Sequence, residues 1–173
     1  MIQHGSLNLN AIETMNFFWS SIASKEKLSE KFILDTAALE PYQLTYTDEF
    51  GPESVRRCLS ALSNKEPFTG NKAENRFYSR NLMILEYIDT LPERIDAFKG
   101  IRINDILDSI GDLCTNNEIT SIEIIVVPTP FETVEIQGNK IILNFFKFHL
   151  VNGELIADGK FISEIIKEAL SNC

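Results

Sequence analysis

Between residues 103 and 139 the chain has no lysine and no arginine, while seven acidic residues fall in the same stretch. Such a segment offers nothing to a phosphate backbone and repels nucleic acid, so no nucleic-acid partner is expected. Other absences narrow the field further. No apolar run approaches the roughly 20 residues needed to cross a bilayer, so no membrane span is expected. The opening residues, Met1-Ile2-Gln3-His4-Gly5-Ser6, lack the basic region and apolar stretch of a secretory signal. A cytoplasmic location is the expectation. The three cysteines, Cys58, Cys114 and Cys173, are widely spaced and form no CxxC pair. That pattern argues against a disulfide framework and against a zinc site. The glycines are scattered singly, so no glycine-rich turn exists to bring backbone amides onto a phosphate. Nucleotide, nicotinamide and flavin cofactors are therefore not expected. There are two histidines and no G-x-S-x-G elbow, and no catalytic residues are assigned.

What is present fits a folded globule. The chain has 173 residues, 44% hydrophobic and 24% charged, enough for one domain or two lobes sharing a core. Twelve phenylalanines against one tryptophan point to an aromatic-rich interior. The net charge is −9, from 25 acids and 16 bases, and residues 101–173 alone hold 11 acids and 5 bases. The negative field belongs mainly to the C-terminal part.

The first two-thirds reads as helices. Ile12, Met15, Trp19 and Ile22 recur at helical spacing over residues 11–23, with Asn10 and Glu13 in a capping-box pattern. Ser24 is placed to cap a second helix over residues 25–34, with Leu28 and Phe32 on one side. Residues 41–46 read as a short strand. Gly51-Pro52 starts a helix that buries Val55, Leu59 and Leu62. Pro67 and Gly70 punctuate the loop after it. Asn71 and Glu74 form a second capping box, opening a helix to about Thr90 that buries Phe77, Leu85, Ile88 and either Tyr78 or Met83. A short helix runs from Pro92 to Gly100. In a helix over residues 104–115, Ile106, Leu107, Ile110, Leu113 and Cys114 share one arc, and Asp105, Asp108 and Asp112 share the opposite one.

The remainder reads as strands. Residues 122–127 are β-branched and apolar, and residues 131–137 alternate. Gly138-Asn139 and Asn152-Gly153 are hairpin signals. Residues 140–151 are nearly continuous in apolar side chains and read as one central strand. Residues 154–157 return, and a helix over residues 160–170 closes the chain, burying Phe161, Ile165, Ile166 and Leu170. The expected class is α+β: a helical part over about 1–117, then a three- to four-stranded, mainly antiparallel sheet with a C-terminal helix over about 118–173, in a single domain.

Seven carboxylates are the candidate contacts for a basic protein partner: Asp105, Asp108, Asp112, Glu118, Glu123, Glu132 and Glu135. The first five lead, and Glu132 and Glu135 come next, for the case in which an edge strand accepts a strand from the partner. His149 is the candidate for a catalytic alternative, paired with Cys58 or Cys114. His4 falls in a terminus expected to fray. Lys65, Lys72, Arg76 and Arg80 form the one basic concentration and are expected to pair locally. The run Phe145-Phe146-Lys147-Phe148 reads as core. A third possibility is a small-ligand or regulatory module with the Phe-rich sheet as pocket floor.

In size, acidity and α+β texture the whole chain resembles the immunity proteins of bacterial toxin systems, including those of contact-dependent growth inhibition. The resemblance implies tight binding to a cognate toxin, often a basic nuclease domain, whose active site or substrate surface is blocked. It also implies that carboxylates pair with toxin Lys and Arg or mimic phosphates.

Overall fold

A computed structural model describes residues 2–110 and 118–172. The elements run β1 (His4–Asn8), α1 (Asn10–Ala23), α2 (Glu30–Ala37), α3 (Glu40–Gln43), α4 (Pro52–Ser63), α5 (Lys72–Glu86), α6 (Leu91–Lys99) and α7 (Ile103–Ile110). Then follow β2 (Ser121–Val127), β3 (Val134–Gln137), β4 (Lys140–Asn144), β5 (His149–Val151), β6 (Glu154–Ala157), β7 (Lys160–Phe161) and α8 (Ile162–Ser171). Short 3-10 turns occupy Ile88–Thr90 and Phe145–Lys147. The class is α+β, as the sequence pattern implies. The chain divides into two compact units. A helical unit holds Asn10–Leu91 and Pro128–Phe131; a sheet-bearing unit holds Met1–Leu9, Pro92–Val127 and Glu132–Cys173.

In the helical unit, α1 buries Ile12, Met15, Phe18 and Trp19 completely. The Trp19 indole N–H donates to Asn81 Oδ1 at 2.9 Å, and Asn81 Nδ2 donates to the Phe77 carbonyl at 2.8 Å. A buried amide thus links α1 to α5. The α5 capping box forms as its sequence implies. Asn71 Oδ1 accepts from the Glu74 amide at 2.9 Å, and Glu74 Oε1 accepts from the Asn71 amide at 3.0 Å. Phe50 packs edge-on against Phe77 and Phe131, with centroids 5.0 and 5.8 Å apart.

In the sheet-bearing unit, four strands lie in the order β1-β2-β4-β3. The first two ladders are parallel and the β3–β4 ladder is antiparallel. A separate antiparallel sheet has the order β5-β6-β7. Strand neighbours in register share a face. Gly5, Leu7, Ile124, Ile141 and Ile136 therefore lie on one face of the mixed sheet, and Ser6, Glu123, Lys140, Gln137 and Glu135 on the other. Helix α7 covers the first face: a Cβ placed on Gly5 would lie 2.2 Å from Ile103 Cγ2. Phe98 of α6 packs on Phe145 and Phe148, which are core as the sequence suggests, whereas Phe146 and Lys147 between them are half-buried.

Several expectations are corrected. The sheet is mixed because β1 and β4 both pair with β2 in parallel, and it is split in two because the run over residues 140–151 breaks at Asn144. The Asn144 side chain accepts from the Phe146 amide at 3.1 Å and caps a 3-10 turn instead of continuing the strand. Residues 41–46 form helix α3 and a turn rather than a strand; Pro41 stands in the first helical turn, where its missing N–H costs nothing. The second helix begins at Glu30, not Lys25. Lys25 is left-handed, at φ 59°, and Ser29 Oγ rather than Ser24 supplies the cap, accepting from the Phe32 amide at 3.1 Å. Helix α5 ends at Glu86, leaving Met83 55% exposed and Leu85 and Ile88 half-buried. The alternating strand starts at Val134, not Phe131. His4 does not fray: it pairs with Ser121 in the parallel β1–β2 ladder. Phe161 caps α8 and stays 44% exposed, because β7 occupies the first two positions expected of that helix.

Candidate functional site

Helix α7 is amphipathic for a simple reason. Ile103 is buried, Ile106, Leu107 and Ile110 are half-buried, and Asp105 and Asp108 point to solvent. Neither aspartate has an ion-pair or hydrogen-bond partner among the described residues. Like charges one turn apart repel, so an unopposed pair of this kind presents negative charge outward. Asp112 and Cys114, expected on the same helix, lie outside the described residues. Glu118 is exposed in the turn before β2.

The other carboxylates are placed differently. Glu123 is half-buried and committed inside the sheet. Its Oε1 meets Lys140 Nζ at 2.7 Å, and its Oε2 accepts from Asn8 Nδ2 at 3.5 Å. That pair bridges neighbouring strands at matching register, so its charge is cancelled where it stands. Glu132 is exposed just before β3. Glu135 is exposed on β3 and accepts from Gln137 Nε2 at 2.8 Å. All six described candidates belong to the sheet-bearing unit. They do not converge: Asp105 and Asp108 stand on the helix covering the Gly5 face, whereas Glu123 and Glu135 lie on the opposite face of the sheet.

The catalytic alternative fares differently at each residue. His149 is exposed at the start of β5, paired across the ladder with Ile156. Cys58 is fully buried in α4, and its thiol donates to the Glu74 carbonyl at 3.6 Å. Burial pushes its pKa up to about 12, with the Glu74 charge adding to the shift and Arg57 opposing it. A thiol in that state is a packing group, since the thiolate is the nucleophile. Native protein treated with a maleimide at pH 8 will leave Cys58 unmodified, whereas denatured protein will be labelled there, as peptide mass spectrometry will show. Linkage runs the same way: stability held by the neutral thiol is complete below its unfolded pKa of about 8.5 and is lost as pH rises toward about 12.

Sequence reading missed a polar cluster beside this thiol. Glu74, only 8% exposed, pairs with Arg57 at 3.2 Å, and Arg57 lies over the Phe68 ring at 5.1 Å. The signal was available, because Glu74 is the capping residue of α5. Two basic side chains of α5, Arg76 and Arg80, hold the loop that contains Thr129–Phe131. Arg76 donates to the Pro130 carbonyl at 3.1 Å; Arg80 donates to those of Thr129 and Phe131 at 2.9 and 3.2 Å.

The sheet-bearing unit also contains an open groove of about 570 Å³. Ile101, Ile106, Leu155 and Phe161 give it an apolar lining, and Arg102 and Glu154 add one charge of each sign. Its size suits a small organic molecule. Among the described residues, no three His, Cys, Asp or Glu side chains gather in a way that would hold a metal ion, and no helix is long and apolar enough to cross a membrane. Compared with protein-family models, with curated proteins and with solved structures, the chain finds no match in any of the three.

Proposed function

We propose that this chain is an acidic protein-binding module that neutralises a basic partner, in the manner of a toxin-immunity protein acting in the cytoplasm. One observation carries this reading: Asp105 and Asp108 stand exposed on α7 with no ion pair among the described residues, in a unit whose sequence holds 13 acids and 7 bases, a net of −6. A field of one sign raises the encounter rate with an oppositely charged surface and fixes its orientation. The partner that fits is a basic toxin domain, such as a nuclease, whose cationic substrate surface the carboxylates cover.

Reversing both charges, Asp105→Lys with Asp108→Lys, will slow association with the captured basic partner by about tenfold or more at low salt. The melting temperature will hardly move, since both side chains are exposed. Capture at low and moderate salt followed by surface plasmon resonance provides the measurement. An association rate unchanged by the double reversal would remove the assignment. The groove favours a second reading, a small-ligand module. The two separate in the same experiment, because a ligand seated against Phe161 and Leu155 does not depend on the α7 charges.

A further inference from the structure

The mixed sheet ends at β3, and among the described residues no further strand pairs with that edge. Its hydrogen-bond phase follows from one contact: the Thr133 carbonyl accepts from the Asn144 amide at 2.9 Å. Bonded pairs alternate along an antiparallel ladder. The next are therefore 135 with 142 and 137 with 140, in the observed register. Val134 and Ile136 consequently turn their N–H and C=O groups away from β4. Among the described residues nothing meets these four groups. Ile136 also keeps 37% of its surface exposed.

We propose that β3 is a docking edge for an extended, basic segment of another protein, which adds to the sheet as a fifth strand. The proposal rests on the reading above that the partner is basic, and it names how such a partner is held. Backbone pairing with Val134 and Ile136 supplies the attachment. The side-chain pattern follows from the faces of the sheet. On the Ile136 face the incoming strand presents apolar residues. On the Glu135 face it presents Lys or Arg, with Glu132 flanking the entry. The opposite edge, β1, reads His-Gly-Ser-Leu-Asn and carries no carboxylate, so charge complementarity selects β3. The same carboxylates discourage two copies of this chain from pairing edge to edge, because like charges directly opposite are destabilising.

The test uses the full chain and the acetylated, amidated hexapeptide Lys-Val-Lys-Ile-Lys-Val, read by amide hydrogen exchange in NMR. The free protein will exchange the Val134 and Ile136 amides rapidly. Saturating peptide will slow both by about tenfold or more, while the Ile142 amide inside the ladder stays as it was. A peptide N-methylated at alternate residues and one with Glu in place of Lys will give no protection. Ile136→Pro removes one outward donor without breaking a ladder bond, since that N–H does not face β4; it will abolish protection of Val134. Glu135→Lys keeps the backbone edge and will weaken the peptide's hold while leaving the spectrum of β4 unchanged. The proposal falls if neither amide is protected, or if the N-methylated or Glu peptide protects as well as the Lys peptide. Such a failure is distinct from failure of the α7 reading. A basic partner that still responds to the Asp105 and Asp108 reversal would leave the function standing and the edge refuted.

Discussion

Phe98→Ala will destabilise the sheet-bearing unit by about 3–5 kcal/mol, the usual cost of emptying a fully enclosed phenylalanine site. Phe98 has no exposed surface, and its ring meets Phe145 at 5.3 Å and Phe148 at 5.5 Å, the second nearly perpendicular at 82°. Removing it deletes transfer energy, leaves a cavity and breaks two ring contacts worth about 0.5–1.5 kcal/mol each beyond their area. The surroundings have little freedom to collapse into the gap. Phe145 and Phe148 are fixed at the two ends of a 3-10 turn, and Arg94 lies over the Phe145 ring at 4.6 Å while donating to the Phe148 carbonyl at 3.2 Å. With total stabilities near 5–15 kcal/mol, such a loss is a large fraction of the whole. Urea denaturation of wild type, Phe98→Leu and Phe98→Ala will show a graded loss, the leucine variant falling between the other two. A loss below about 1 kcal/mol for Phe98→Ala would mean that this aromatic cluster is not the core of the unit.

Gly5→Ala will cost about 1–3 kcal/mol although it adds a single methyl group. The added carbon would sit 2.2 Å from Ile103 Cγ2 and 2.9 Å from Leu107 Cδ1. Both distances are below any real contact. Ile103 is β-branched, stiff at its first torsion and buried, so it has no alternative position to take. The helix must lift from the strand, which also moves Asp105 and Asp108. A double-mutant cycle checks the cause. Ile103→Ala removes the obstructing methyl, so Gly5→Ala made in that background will cost distinctly less than in wild type. Gly51→Ala serves as the control, since nothing lies within 4 Å of a Cβ there. Equal costs for Gly5→Ala in both backgrounds would place the effect elsewhere.

The contrast between these two glycines shows where sequence reading succeeds and where it stops. Elements fixed by local chemistry were legible. Asn71 with Glu74, Pro52 after Gly51, and the Gly138-Asn139 and Asn152-Gly153 turns each act within four residues, and each structure they announce is present. Pro41 carried the same signal as Pro52, but the alternating residues after it suggested a strand. Asn144 sat inside an apolar run whose bulk concealed its capping role. Strand β1 left almost no local trace, because Gly, Ser and Asn are poor strand formers and the strand exists through its pairing with β2. At the candidate site, the solvent-facing side of α7 was legible from a 100° periodicity. That Glu123 is neutralised by Lys140 was not, since the two are brought together only by the parallel β2–β4 register.

The β1–β2 ladder also governs the order in which the chain can assemble. His4 waits for Ser121, and the rest of β1 for the residues that follow it, across most of the polypeptide. On the ribosome, residues 10–91 emerge with nearly all of their own unit's partners already present, while β1 stays unpaired until β2 has been synthesised. Contacts of such high order close slowly, because the entropy of a long loop is lost before any pairing is gained. The sheet is therefore a late event in folding, and the β3 edge exists only once β4 has paired with both β2 and β3.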